Sequence, residues 1–258
     1  MSDAAFSDVR HLATVDSTNT YLLAEARRGA AEGLVVVADH QTAGRGRLGR
    51  RWEAPPGTCL LASVLFRPVL PAEQLHLCTA VLALATADAC AEVAGVTPSL
   101  KWPNDLLIGE QKVAGVLGES DPGAPGGPPG SVAVVAGVGC NVSWPGPAGT
   151  GGTSLEAAAG RPVDRGGLFS SLLAALEERA PTLRSASARG ALAEELRARC
   201  VTLGTGVRVE LARGVLVGTA VDLTAAGGLV VDTGSGREEV AAGDVVHLRS
   251  SGSDAAAK

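Results

Sequence analysis

The stretch from Gln41 to Trp52 contains the residue types best suited to binding an anion. Four arginines and three glycines fall between Gly44 and Arg51, in a protein whose formal net charge is −5. Arginine presents a planar, permanently charged fork that matches carboxylate and phosphate oxygens, and glycine lets the backbone approach a ligand closely. A solvated basic turn has the same composition. This stretch alone therefore leaves both interpretations open.

Two further strand ends carry polar residues that a purely structural role does not require. One is the run Lys101-Trp102-Pro103-Asn104-Asp105, followed by Lys112 at the start of an apolar hairpin strand. The other is Asn141, just after Gly137-Val138-Gly139. Such glycines let backbone amides approach a phosphate, although a turn is their commoner role. Lys112 either extends its charge harmlessly into solvent or holds a carboxylate whose oxygen attacks or leaves.

The start of the first predicted helix also carries polar side chains. Asp16-Ser17-Thr18-Asn19 precedes a helical pattern that continues to Ala26. Aspartate, serine and threonine are preferred at helix N-caps, and a cap explains Ser17 or Thr18 adequately by itself.

The elements that must position these residues alternate between strands and helices up to residue 203. Apolar runs predict strands at 34–38, 58–66, 98–102 and 132–138, and a hairpin over 106–117. Helices are predicted over 21–26, 72–94, 155–159, 165–180 and 188–199, and no element is predicted for 1–15.

After residue 203 the pattern changes to short strands separated by glycine turns, at 207–211, 215–223, 229–232 and 245–248. This pattern of short strands and glycine turns is typical of a small antiparallel barrel or sandwich. We therefore expect a catalytic domain at 1–203, a small domain at 204–249 and a disordered tail at 250–258.

Composition excludes several classes of protein. The negative net charge argues against a general binder of nucleic acid or anionic membranes. The five cysteines are scattered without a CxxC spacing, which indicates neither a disulfide framework nor a zinc site and fits a reducing cytoplasm. The N-terminus lacks the features of a signal peptide. No apolar run is expected to approach the ~18 residues of a membrane helix.

The motifs taken together closely resemble the biotin–protein ligases. They occur in the order Ser17-Thr18-Asn19, Gln41, the GRGRLGR run at 44–50, Trp52, KWPND at 101–105, Lys112 with Gly115, and Gly137, Gly139 and Asn141. GRGRxGR and KWPND are specific motifs, and their joint occurrence in order makes chance resemblance improbable. The resemblance extends from about residue 12 to residue 200, and the run at 240–249 fits the closing strand of the family's C-terminal domain.

The resemblance implies an α+β fold: a catalytic domain related to class II aminoacyl-tRNA synthetases, with a mixed sheet flanked by helices, followed by an SH3-like barrel. It implies ATP with Mg²⁺, biotin as substrate, and a biotinyl-5′-AMP intermediate. The acceptor is a lysine on the biotin carboxyl carrier domain of an acyl-CoA carboxylase. We expect a cytoplasmic monomer or weak homodimer that binds neither DNA nor membranes.

By the same resemblance, the catalytic residues are Lys112, Arg45 and Asp105. The biotin pocket is expected to comprise Ser17, Thr18, Asn19, Gln41, Gly44, Arg45, Gly46, Arg47, Lys112 and Gly115. Contacts to ATP are expected from Arg47, Arg50, Trp52, Asn104, Lys112 and Asn141, with Trp52 covering the adenylate. Asp105 is expected to orient the acceptor lysine or act on its proton. No direct protein ligand to a metal is predicted.

Two alternatives and three departures from the family remain. A lipoate–protein ligase shares the fold and the adenylate chemistry, and a nucleic-acid-binding module would also explain the arginines.

Ser17 lies too near the start for the winged-helix domain of repressor-type members, so we expect no repressor activity. Cys140 stands where an aliphatic residue is expected. The Pro/Gly-rich loop at 121–130 lies between strands and is expected to spare the site.

Overall fold

A seven-stranded mixed sheet forms the centre of the larger part of the protein, in a computed structural model that describes residues 5–211, 214–241 and 243–248. β1 runs parallel to β2 and the other neighbouring strands are antiparallel, in the order β1-β2-β3-β7-β6-β5-β4. The strands are β1 (Val9–Val15), β2 (Val35–Gln41), β3 (Cys59–Phe66), β4 (Ser99–Lys101), β5 (Asp105–Ile108), β6 (Gln111–Asp121) and β7 (Ala133–Asn141).

Helices cover both faces of this sheet. On one face α1 (Thr18–Arg27) packs against β2, β3 and β7. On the other, α2 (His76–Ala94) packs against β6 and β7, and α4 (Arg165–Arg179) packs against α2. Two shorter helices, α3 (Leu155–Ala159) and α5 (Ala186–Arg199), also contact α2. Because strand residues alternate between faces, Val135 of β7 packs under α1 while Val134 and Ala136 pack under α2.

Helix α2 is almost entirely apolar. The segment Ala72–Ala94 is long and apolar enough to cross a membrane by length and composition alone. The expectation that no apolar run approaches that length is therefore wrong. Most of α2 is buried between the sheet and α4, and its many alanines allow neighbours to pack closely on several sides.

A second, five-stranded antiparallel sheet follows, in the order β11-β10-β9-β8-β12. Its strands are β8 (Gly206–Leu211), β9 (Gly214–Leu223), β10 (Leu229–Asp232), β11 (Arg237–Val240) and β12 (Asp244–His247). It has its own small core, which includes Val207, Val209, Ala220, Leu229 and Val231. The domain boundary at 203 stays a prediction, and the predicted tail at 250–258 lies outside the described residues.

Strands β1 and β11 were absent from the sequence prediction. Both lie at the edge of a sheet, β1 has no fully buried residue and β11 has one, so their sequences carry polar and charged residues in place of an apolar run. Gly137 and Gly139 also differ from expectation. They lie inside β7, which continues to Asn141, so the interpretation of these glycines as a turn is wrong.

Candidate functional site

A cavity of about 360 Å³ opens on the α1 face of the sheet and brings most of the predicted site residues together. Its walls come from the start of α1, the loop after β2, the turn between β4 and β5, and β12 of the second sheet. Among its lining residues are Ser17, Thr18, Asn19, Gln41, Arg45, Gly46, Arg47, Arg50, Trp52, Lys101, Asn104, Asp105, Lys112 and Gly115. Of the predicted site residues, Gly44 and Asn141 do not line it.

One end of the cavity is a network of neutral polar side chains. Gln41 Oε1 accepts hydrogen bonds from the backbone N–H of Thr18, at 2.8 Å, and from its hydroxyl, at 3.0 Å. Ser63 Oγ, from the middle of β3, lies 2.7 Å from both Thr18 Oγ1 and Asn19 Oδ1. Ser17 caps α1 by accepting from the N–H of Thr20. Capping and lining are therefore compatible roles for the same helix start.

The floor of the cavity is backbone rather than side chain. Gly115 of β6 and Gly139 of β7 are paired across the sheet, and the indole of Trp52 lies over both. A Cβ atom on Gly139 would come within 2.5 Å of Trp52 Cε2. A Cβ on Gly137 would come within 2.0 Å of Asn19 Oδ1. Glycine is required at both positions because the neighbouring side chains occupy the space where a Cβ would stand.

The arginine–glycine loop folds back on itself. The N–H of Gly46 donates to the carbonyl of Arg50 at 2.7 Å, and the N–H of Trp52 donates to the carbonyl of Gly44 at 3.0 Å. At the tip of the loop, Leu48 adopts a left-handed conformation with φ of 54°. A Cβ on Gly44 would lie 2.3 Å from the carbonyl oxygen of Trp52, which explains a glycine there although it does not line the cavity.

Lys112 and Asp105 form an ion pair at the opposite end of the cavity, with 2.6 Å between Lys112 Nζ and Asp105 Oδ1. The pairing of β5 with β6 shifts register between Leu106 and Leu107, which leaves Val113 as an extra residue. Such a bulge rotates the strand. It turns Lys112 toward Gly115, whose Cβ position is 3.1 Å from Lys112 Nζ, and its ammonium lies 5.5 Å from the centre of a Trp52 ring.

The two asparagines are engaged with backbone groups. Asn104 Nδ2 donates to the carbonyl of Val116 at 2.8 Å, so its amide fastens the β4–β5 turn to β6. Asn141 is buried, donates to the carbonyl of Thr153 at 2.9 Å and accepts from the Cys59 thiol. Their contacts to ATP stay predictions.

Sequence reasoning missed Glu119 and Ser63. Glu119 Oε1 lies 2.7 Å from Arg45 Nη1, and its Oε2 accepts from Asn19 Nδ2 at 3.0 Å. Glu119 is separated from Gly115 by four residues along β6, and residues at even spacing share one face of a strand. The sequence signal for Glu119 was its charge on the face of β6 that also carries Gly115. Ser63 was detectable as a hydroxyl within the apolar strand Cys59–Phe66.

The second sheet is attached beside the cavity through Trp102 of the KWPND motif. The backbone N–H of Trp102 donates to Thr202 Oγ1 at 3.0 Å, and its indole N–H donates to the carbonyl of Gly227 at 2.8 Å. His247 Nε2 lies 3.1 Å from the same hydroxyl of Thr202. A second cavity of about 350 Å³ adjoins this junction, and its lining comes from α2, α5, the turn after β9, the KWPND run and the β6 segment 116–120, which includes Glu119.

The burial of the thiols argues against cysteine chemistry here. Burial raises the pKa of Cys59 to about 11, so its reactive thiolate is scarce at neutral pH. Cys140 is fully buried and the pKa of its thiol lies well above the usual range because of neighbouring Cys90 and burial. It therefore acts as a small core residue. Burial also lowers the pKa of His76 and, together with the charge of Lys101, that of His247.

Within residues 5–211, 214–241 and 243–248, no group of three or more His, Cys, Asp or Glu side chains is arranged to hold a metal ion. Asp105 and Glu210, which line the reaction cavity, and Glu119, which lines the second cavity, each pair with a cation.

Comparisons with known proteins point to one family. A model of the biotin/lipoate A/B protein ligase family matches residues 12–141, and one of the biotin protein ligase C-terminal domain matches 202–248. The biotin--[acetyl-CoA-carboxylase] ligase of Mycobacterium tuberculosis is 40% identical over 92% of this chain and 88% of its own length. The bifunctional ligase/repressor BirA of Bacillus subtilis is 31% identical over 85% of this chain and 68% of its own.

Among solved structures, the biotin protein ligase from Aquifex aeolicus in complex with biotin and ATP is similar to this chain with a TM-score of 0.77. The two are 30% identical, and the match covers 95% of this chain and 100% of the other. These similarities confirm the predicted α+β class, with a catalytic domain of the class II aminoacyl-tRNA synthetase type and an SH3-like C-terminal part.

Proposed function

The chain belongs to the biotin/lipoate A/B protein ligase family and within it to the biotin protein ligases, and on this premise we propose how its residues carry out the reaction. The enzyme is an ATP-dependent ligase that activates biotin and transfers it to a carrier protein. A carboxylate oxygen of biotin attacks the α-phosphorus of ATP, and the bond to pyrophosphate breaks to leave biotinyl-5′-AMP. A lysine amine of the carrier then attacks the acyl carbon, loses a proton and displaces AMP.

One observation carries this assignment of roles: a single cavity has a neutral hydrogen-bonding end and a cationic end joined by a glycine floor. The first step brings a carboxylate against a triphosphate. At ~4 Å and an effective dielectric constant of ~20, each pair of like unit charges repels by about 4 kcal/mol. Arg45, Arg47 and Lys112 are placed around the cavity to offset that repulsion and the charge that develops on the α-phosphoryl group.

The neutral end suits the ureido ring of biotin. A cyclic urea offers one carbonyl acceptor and two N–H donors, and hydroxyls and amides from Ser17, Thr18, Asn19 and Gln41 provide partners of both kinds. A ligand without matching groups would leave these side chains buried and unpaired, which disfavours its binding. Gly115 and Gly46 leave room for the bicyclic ring and its chain.

The cationic end suits the reacting groups. Asp105 holds Lys112 Nζ at 2.6 Å and thereby fixes the direction of its charge, and this ion pair favours a positioning role for Asp105 over proton transfer. Arg50, Trp52, Asn104 and Asn141 are proposed to contact the nucleotide. Asp105 and Glu119 each pair with a cation, so the phosphates of ATP would supply the oxygen ligands that Mg²⁺ prefers.

The partner is the biotin carrier domain of a carboxylase, as in the M. tuberculosis relative, whose name specifies acetyl-CoA carboxylase. We propose that the acting species is a monomer or weak homodimer that modifies this partner in the cytoplasm without binding DNA. The five cysteines are all unpaired, which supports a reducing compartment.

The decisive experiment combines adenylate formation with transfer. ATP–pyrophosphate exchange should depend on added biotin, and mass spectrometry should find one biotinyl group on the target lysine of an added carrier domain. Exchange that responds to lipoate but not to biotin would replace this assignment with that of a lipoate–protein ligase. Salt-sensitive binding of random nucleic acid without biotin binding would favour the non-catalytic alternative.

A further inference from the structure

Glu119 joins the arginine loop to the start of α1, and its side chain borders the second cavity and not the reaction cavity itself. Its carboxylate contacts the arginine loop through Arg45 Nη1, at 2.7 Å, and the start of α1 through Asn19 Nδ2, at 3.0 Å. Each contact uses a different oxygen. The side chain is 20% exposed and Arg45 is half exposed, so the pair is shielded from solvent chiefly on the Glu119 side.

The contact with Asn19 extends into a continuous polar network. Asn19 Oδ1 meets the hydroxyl of Ser63 at 2.7 Å, that hydroxyl meets Thr18 Oγ1 at 2.7 Å, and Thr18 donates to Gln41 Oε1 at 3.0 Å. Glu119 supplies the negative charge of this network. The side chains proposed to bind the ureido ring are therefore linked by direct contacts to a cation proposed to bind the reacting carboxylate.

The backbone on both sides of Arg45 is fixed by the hydrogen bonds from Gly46 to Arg50 and from Trp52 to Gly44, but the Arg45 side chain is half exposed. A long side chain loses conformational freedom when it binds a ligand, so an anchor that already holds its guanidinium favours binding. Glu119 engages the Nη1 nitrogen of a guanidinium that has five N–H donors. Donors on the other nitrogens stay directed elsewhere, so Arg45 can be held by Glu119 and bind an anion at the same time.

We propose that Glu119 is a positioning residue, which orients Arg45 for the carboxylate of biotin and ties the arginine loop to the ureido-binding side of the pocket. The proposal rests on the proposed function. Loss of the charge leaves the chemistry at Lys112 in place but lets Arg45 move. The effect therefore falls on the KM for biotin, on closure of the loop and, through the charge that Arg45 offsets on the α-phosphoryl group, on kcat, and it spares the KM for ATP.

The test compares Glu119→Gln with Asp121→Asn in the full-length chain. Asp121 is a matched control because it lies two residues further along β6 and forms an ion pair with Arg27 at 2.7 Å, and neither Asp121 nor Arg27 lines either of the two cavities. Partly exposed ion pairs contribute up to about 1 kcal/mol, which corresponds to about fivefold. Glu119→Gln should raise the biotin KM about fivefold and lower kcat, with the ATP KM within about twofold and Asp121→Asn unchanged.

Two further measurements separate positioning from general damage. Trypsin should cut the bonds after Arg45–Arg51 faster in Glu119→Gln than in the control when biotin is present. With Arg45→Ala as background, Glu119→Gln should add nothing to the biotin KM, because the group that it positions is gone. Glu119→Asp keeps the charge on a shorter side chain and should give an intermediate KM, which provides a second variant if Glu119→Gln folds poorly.

Unchanged biotin KM in both Glu119 variants, or additive effects of Glu119→Gln and Arg45→Ala, would overturn the positioning role. A wild-type enzyme that forms no adenylate from biotin and ATP would instead contradict the proposed function. The two failures are distinguished by the wild-type exchange assay that precedes the comparison of variants.

Discussion

The indole of Trp52 lies against the backbone of Gly139, so closely that a Cβ atom on this glycine would stand 2.5 Å from Cε2 of the ring. This contact joins the arginine–glycine loop to the centre of the sheet. The indole N–H is buried and has no hydrogen-bond partner among the residues that the structure describes. An unpaired buried donor costs about 1–3 kcal/mol. A ligand that binds against Gly139 must displace the ring. The displaced indole N–H can then form the hydrogen bond that it lacks in its buried position.

We expect Gly139→Ala to weaken adenylate binding severely. The added methyl group displaces Trp52 from the floor and narrows the cavity, and neither β7 nor its partner strands can yield without disturbing the core. Calorimetry with biotin and ATP together should show at least about a tenfold loss of affinity, equivalent to ~1.4 kcal/mol.

Gly190→Ala is the matched control, because this glycine lies within α5 with open space around its Cβ position. Alanine is favoured over glycine in a helix by up to about 1 kcal/mol, so this variant should be slightly more stable and bind ligands normally. Equal affinity in Gly139→Ala and Gly190→Ala would contradict the assigned role of the floor.

Lys112→Ala should nearly abolish adenylate formation while leaving the fold intact. It removes a cation from the place where charge develops and leaves Asp105 as an unpaired negative charge beside it. Loss of one such stabilising group lowers kcat by about 100-fold or more. The measurement is biotin-dependent pyrophosphate exchange, with circular dichroism to establish folding. Arg27→Ala, which breaks a surface ion pair with Asp121, should retain normal exchange, and wild-type turnover in Lys112→Ala would refute its role.

Trp102→Phe should lower stability by about 1 kcal/mol. The substitution keeps an aromatic ring but removes the N–H that donates to the carbonyl of Gly227 at 2.8 Å. Urea unfolding would measure the loss. Trp144→Phe provides the comparison at a tryptophan outside this junction, and a loss of equal size there would mean that the Gly227 hydrogen bond contributes nothing specific.

Stability should fall as pH drops through about 6.5. His76 packs against Gly227 of the second sheet and His247 contacts Thr202, and burial lowers the pKa of both below the ordinary value of 6.5. Below that value the unfolded chain binds more protons than the folded protein, so the stabilisation present above pH ~6.5 is lost on acidification.

The test is urea unfolding from about pH 7 to about pH 5.5, a window above the ordinary pKa of carboxylates. Replacement of His247 by glutamine should reduce the slope of stability against pH, since the charges of Lys101 and Glu110 then act on a group that does not titrate. Equal slopes in the two proteins would exclude His247 as a contributor.

Much of the fold was predictable because its strands are continuous apolar runs bounded by turns. Cys59–Phe66 and Leu229–Asp232 illustrate strands whose burial on at least one face is visible in the residue pattern. The edge strands Val9–Val15 and Arg237–Val240 were not predictable from the sequence. A strand that pairs with only one other strand and has few buried side chains needs no apolar run.

The site was predictable as a set of motifs but not as a geometry. The order of the motifs predicted Lys112 and Asp105 as catalytic residues. Only the bulge at Val113 explains why the Lys112 ammonium turns toward Gly115. Bulges depend on pairing with another strand and leave little trace in a single sequence. The same holds for Glu119, whose partners Arg45 and Asn19 are distant along the chain.

Lysine occurs three times in this chain, at Lys101, Lys112 and Lys258, and the first two line the reaction cavity. Within the described residues, every lysine ammonium group therefore belongs to the site. Modification by an amine-reactive acylating reagent therefore reports whether the reaction cavity is occupied. The extent of modification is measured as mass added to the peptides that carry Lys101 and Lys112. Protection by biotin, ATP or a carrier can then be ranked without a dye, a tag or a catalytic assay.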